Sequence, residues 1–268
     1  MIKQFLARGR GVPKLSAFLC VLLSAASVSA EPDAELISKL NNSLTAQDYV
    51  TLANVMVNPK TQAELKTTLD WAKERWLVGT TAAVPFTYSK LLWGIASRLP
   101  PADADDIKTT AAAALLYVIG VTGIDGARCG DRSAPNDRQL KIMMAGREML
   151  QFLAAQPQEK KDEAVAIAVG IESRTAAVRD STGDINFVCR FGLEETTYNL
   201  KHGTATERPA RPGEIGRQIE LKGDGKYVPS TVPEAVWRPQ AQKAREALPG
   251  DLAKLVSAFE QKISKPTE

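Results

Sequence analysis

The chain has 268 residues, 44% of them hydrophobic and 24% charged, with a formal charge of +3, one His and three Cys. That is enough apolar chain for a sizeable core. A single histidine excludes multi-histidine zinc centres and leaves only one residue for any triad.

The first thirty residues read as a secretory signal peptide. Lys3, Arg8, Arg10 and Lys14 make a basic start, residues 15–28 are mostly apolar, and Val28-Ser29-Ala30 ends on small residues ahead of Glu31-Pro32-Asp33. This order predicts export with cleavage after Ala30, or retention of the segment as an anchor, and a periplasmic or secreted protein. Cleavage leaves 238 residues with 30 Lys+Arg against 31 Asp+Glu, a net charge of −1. The mature chain therefore gives no electrostatic sign of a nucleic-acid partner. The longest later apolar stretch, residues 111–121, ends in Thr122-Gly123. It falls short of the roughly 20 residues that a bilayer crossing needs, so no span is expected after the signal.

Export also changes the cysteine arithmetic. Cys20 leaves with the signal, and Cys129 and Cys189 remain. Two cysteines in an oxidising compartment are expected to pair. Their bridge would close a loop of about 60 residues, worth about 4 kcal/mol in the chain-entropy treatment.

The elements expected after the signal are mainly helical. Thr45-Ala46-Gln47-Asp48 resembles a capping box, followed by Tyr49, Leu52, Val55 and Met56 on one face and a stop at Asn58-Pro59. Leu65, Leu69, Ala72 and Trp76 give a second stripe, and Pro85 opens a third helix that runs to Leu99. Asp103, Asp105 and Asp106 suit the positive end of the next helix. That helix is apolar nearly all round through residues 111–119, which marks it as the central one, with Gly120 and Gly123 suggesting its end. Further helices are expected over 136–156 and 158–178. Residues 203–232 read as a Pro/Gly-rich connection. In it, Ile219-Glu220-Leu221 and Lys226-Tyr227-Val228 would pair around Gly223-Asp224-Gly225 as a small hairpin. Two helices, 233–248 and 251–264, close the chain. The expected fold is all-α, an irregular bundle of about seven to nine helices: a helical body over 31–202, the connection, and a C-terminal helix pair packed on the body.

Candidate chemistry is sparse. His202 sits at an apparent helix end, where an exposed imidazole is favoured by the dipole. Gly223-Asp224-Gly225-Lys226 lacks the ligands of a calcium loop and the spacing of a P-loop, so it reads as a turn. No metal or cofactor is expected. Trp71, Trp76, Trp93, Phe86 and Tyr88 could line a groove, although helical spacing suits core packing better.

Glu172 is the best single catalytic candidate. It ends an apolar run, where burial could raise a carboxyl pKa for general-acid work. Its bland alternative is a structural carboxylate paired with Arg174 or Arg179. Glu172-Ser173 with Ser181 and Gly183 resembles the start of the lytic transglycosylase motif, in which a helical glutamate cleaves cell-wall glycan. The resemblance covers about a dozen residues. The Gly-Leu-Met-Gln segment of that family is absent, and Gly192-Leu193-Glu194 stands at the wrong distance.

The loops around the two cysteines carry Arg128, Asp131, Arg132, Asp184 and Arg190. A bridge would pin these polar loops to one end of the body, as a binding surface or as a cluster of ion pairs. The reading that follows is an exported, non-enzymatic protein that binds an envelope partner or a small ligand, with a carboxylate-dependent glycan-cleaving enzyme as the alternative.

Overall fold

A computed structural model describes residues 33–182, 185–210, 213 and 215–263. The signal segment, its cleavage site and Asp184 lie outside the described residues. The described chain is an all-α bundle of eleven helices with one small antiparallel sheet.

An unforeseen helix comes first. In α1 (Ala34–Thr45), Asp33 caps the start by accepting from the Leu36 N–H. The capping box assigned to Thr45 is therefore displaced. Thr45 ends α1, and Asp48 itself is the N-cap of α2 (Tyr49–Val57), accepting from the Thr51 N–H. A short acid satisfies the same orphan donor as a hydroxyl, and three residues suffice to turn the chain. Next come α3 (Gln62–Leu77), capped by Thr61, and α4 (Ala83–Ala96). Trp71, Trp76 and Tyr88 are core residues, and Trp76 packs against both Tyr88 and Tyr117.

The central helix α5 (Pro101–Asp125) is buried on nearly every side from Thr109 onward. It does not stop at Gly120 or Gly123. At Gly120 a Cβ would lie 2.6 Å from Leu248 Cδ1, so this glycine serves close helix packing within the element. With the 3-10 turn Gly126–Arg128, the segment becomes long and apolar enough to cross a membrane by length and composition, contrary to the expectation from residues 111–121 alone. Most of its apolar window, 78%, is buried inside the protein.

The helix expected over 136–156 is two, α6 (Ser133–Ala145) and α7 (Arg147–Ala154). They join at Gly146, where a Cβ would strike Leu115 of the central helix. Then follow α8 (Gln158–Thr182), the short α9 (Asn186–Cys189) and α10 (Leu193–His202).

The hairpin differs from the expected one. Strand β2 (Gln218–Lys222) pairs antiparallel with β1 (Thr204–Arg208), from Thr204 opposite Lys222 to Arg208 opposite Gln218. Residues 226–228 do not pair with it. Tyr227 instead packs its ring on Tyr198 of α10, which draws that segment back to the body. The two closing helices are one, α11 (Glu234–Ile263), with Pro239 and Pro249 inside it. An internal proline costs about 3 kcal/mol. Trp237, Ala241, Leu248, Leu252 and Val256 are all buried across both prolines, and that burial outweighs the cost. Helix α11 lies across α5, α7 and α8.

Candidate functional site

Cys129 and Cys189 are bonded, with Cα atoms 5.3 Å apart. Both are fully buried. The bridge joins the end of the 3-10 turn to α9 and brings the two loops together. A third segment joins them. The Gly130 N–H donates to the Ser230 carbonyl (2.8 Å), the Val232 N–H donates to the Arg128 carbonyl (2.9 Å), and Thr231 bridges Cys129. The long connection is thus stitched beneath the disulfide before α11 begins.

Most charges of this end are directed inward. Arg128 donates to the carbonyls of Arg179 (2.9 Å) and Asp180 (2.6 Å) at the end of α8, and its guanidinium lies 4.5 Å from the Trp237 ring centre. A cation at the C-terminal end of a helix suits both the carbonyl acceptors and the dipole. Arg132 donates to the Gly126 carbonyl and to Gln240 Oε1 (2.9 Å) and stays exposed. It lines a small cleft of about 220 Å³ with Asn136, Gln139 and Gln240.

Glu172 is buried and holds two guanidinium groups, those of Arg179 and Arg245 (3.0 Å). Arg174, the other partner considered for it, is exposed. Arg179 also grips Asp125 (2.7 Å), and Arg245 grips Asp180 with both terminal nitrogens (2.6 and 3.0 Å). The result is a closed ion network between α5, α8 and α11. Burial opposes the charge on Arg179, and Asp125, Tyr117 and Glu172 outweigh it, so its pKa rises. Glu172 lines neither the Arg132 cleft nor a second one. The larger, about 490 Å³, opens between α1 and α2 beside Lys39, Asn54 and Lys60. Among the described residues no group of His, Cys, Asp or Glu could hold a metal ion.

What points outward is a short tip, residues 190–193. Arg190 forks onto Glu195, whose carboxylate also accepts the Phe191 N–H. The Leu193 N–H donates to Ser133 Oγ (2.7 Å) and the Glu194 N–H to Asp131 Oδ2 (2.8 Å). Gly192 lies so close to Asp131 that a Cβ would come 2.2 Å from Oδ2. Phe191 adopts φ +70°, a conformation that disfavours a bulky side chain. The residue is 58% exposed, with the guanidinium groups of Arg138 and Arg190 each 5.3 Å from its ring centre. Leu193 is 70% exposed. Of the residues expected at this surface, Asp131 and Arg190 therefore support the tip, and Phe191, Leu193 and Arg138 were not foreseen. Phe191 stands two residues from Cys189, which is the one sequence signal that pointed to it.

Acid should release this tip. Burial pushes the Glu195 carboxyl up, but the Arg190 fork and the Phe191 N–H outweigh it and hold it below 4.5. Asp131 is likewise held below 3.8, burial being overcome by Ser133 and the Glu194 N–H. A depressed folded pKa gives stability that is full above the unfolded value and lost as pH falls through the folded one. The amide signals of Phe191 and Glu194 should therefore stay fixed from neutrality down to the ordinary carboxylate range. Below it they should move together. A titration complete above that range would show that the two carboxylates do not hold the loop.

Comparison with protein-family models, with curated proteins and with solved structures finds no match to this chain.

Proposed function

We propose that the mature protein is exported to the bacterial envelope and acts there as a non-enzymatic binding protein, contacting a partner through the tip at residues 190–193. The observation that carries this is the contrast at the disulfide end. The carboxylates of Asp125, Glu172 and Glu195 are held by arginines, while Phe191 and Leu193 are presented to solvent on a loop held by Glu195, Asp131 and Ser133. Ordering such a loop in advance lowers the cost of binding. Aromatic and arginine side chains are also the groups that dominate binding energy at interfaces. The buried disulfide supports an oxidising compartment.

A photo-crosslinking side chain at Phe191 in the mature protein should capture a discrete envelope component. Unlabelled wild-type protein should compete for it, and the same probe at exposed Val50 should not capture it. Equal capture at both positions, or none at Phe191, would defeat the proposal. N-terminal sequencing of the exported protein should begin at Glu31; a full-length cytoplasmic product would refute export. The glycan-cleaving alternative predicts turnover of cell-wall glycan that Glu172→Gln abolishes with the fold intact. Glu172 bound by two arginines and lining neither cleft favours the binding reading.

A further inference from the structure

The β1–β2 ribbon is a two-stranded sheet, and neither strand has a second neighbour among the described residues. Its main packing on the rest of the protein is against α10. A lone two-stranded hairpin is marginal in water, and an open edge is a template for another strand. Large apolar side chains in and around the ribbon are also exposed: Leu200 is 68% exposed, Ile215 95%, Ile219 64% and Val228 80%. Within one chain the ribbon is an unfinished sheet.

We propose that β2 completes it by pairing antiparallel with β2 of a second copy, so that two ribbons form one four-stranded sheet across a twofold axis at Leu221. The strand reads Gln218-Ile219-Glu220-Leu221-Lys222. In a symmetric antiparallel pair, directly opposed residues must have their backbone groups turned the same way, which restricts the axis to a residue. An axis at Glu220 sets two carboxylates face to face, and one at Lys222 sets two ammonium groups face to face. An axis at Ile219 makes no ion pair. An axis at Leu221 opposes Leu221 to itself and sets Glu220 of each copy against Lys222 of the other. Directly opposed unlike charges are the favourable cross-strand arrangement, and like charges the unfavourable one. Strand β1 offers nothing equivalent. Its only charged residues, Glu207 and Arg208, are adjacent in sequence and cannot oppose each other in such a register. The same charges that admit this register reject its neighbours, which keeps an exposed edge from pairing indiscriminately.

The test uses the mature protein. Sedimentation equilibrium should give a reversible dimer. Glu220→Lys and Lys222→Glu, separately, should each weaken it about tenfold or more, since each opposes like charges twice. The double exchange should restore it. Because both native cysteines are paired, Leu221→Cys supplies a single thiol at the axis. It should give a covalent dimer on oxidation, whereas Thr206→Cys on the other strand should not. This crosslink reads the geometry even if a charge variant disturbs the ribbon. A monomer at the highest soluble concentration overturns the proposal. So does a dimer indifferent to the charge exchanges, or one that crosslinks at Thr206 rather than Leu221. Recruitment of a foreign strand that the single exchanges abolish, with no dimer, assigns the edge to another protein and also overturns it.

Discussion

Arg179→Met is expected to lower stability by about 3–5 kcal/mol, more than any other surface or network substitution in the bundle. Arg179 lies between Asp125 and Glu172, all three nearly inaccessible to water. Removing it leaves the Asp125 carboxylate buried without its cation, and an unpaired buried charge costs far more than the pair contributes. The loss should depend on pH with a definite sign. Burial already pushes the Asp125 carboxyl above 3.8, with Arg179 opposing. Without Arg179 its folded pKa rises further above the unfolded value. The folded variant then holds a proton that the unfolded chain releases, so its stability climbs as pH falls through the raised value toward the ordinary one. Urea unfolding of wild type and variant at neutral pH and near about pH 5 would measure this. A loss under about 1 kcal/mol, or an equal loss at both pH values, would show that the network is not under electrostatic load. Glu172→Gln should cost less, about 1–3 kcal/mol, because Arg179 keeps Asp125 and Arg245 keeps Asp180.

Replacing both cysteines by serine should cost about 2–5 kcal/mol. The bridge spans 60 positions, and an uncrosslinked unfolded chain regains the entropy of that loop. Local structure should suffer as well. The Cys129 side of the bridge carries the backbone pairing to Ser230 and Thr231, and the Cys189 side leads directly into Arg190 and Phe191. The amides of Gly130, Phe191 and Val232 should therefore lose hydrogen-exchange protection before those of α5. Because both sulfurs are buried, reductant should act on the native protein only slowly, at the pace of local opening. A change below about 1 kcal/mol with protection unaltered would mean that the hydrogen bonds alone hold the three segments.

Much of this architecture was legible in the chain itself. Apolar residues at helical spacing are a local signal, so α2, α3, α4, α8 and the all-round apolar α5 could be read from the order of residues. The cysteine pair followed from counting and compartment rather than from geometry. Charge alone marked the loops with Arg128, Asp131, Arg132 and Arg190 as one end of the molecule, once the bridge was supposed.

What the tertiary structure decided was the direction of each side chain and the fate of each break signal. Gly120 and Gly146 look alike in sequence. One sits inside a helix to admit Leu248 and the other divides two helices over Leu115. Pro249 should end a helix, yet the buried stripe from Trp237 to Val256 carries α11 through it. The partner of β2 proved to be residues 204–208 rather than 226–228, because Tyr227 packs on α10. Arg245 lies on that buried stripe, and nothing near it in sequence announces the carboxylates it meets, 73 and 65 positions away. Helical periodicity is written within a few turns of one element, whereas ion pairs and exposed tips depend on which elements meet. That is why Glu172 read alone gave no sign of Arg245, the second of the two arginines it holds.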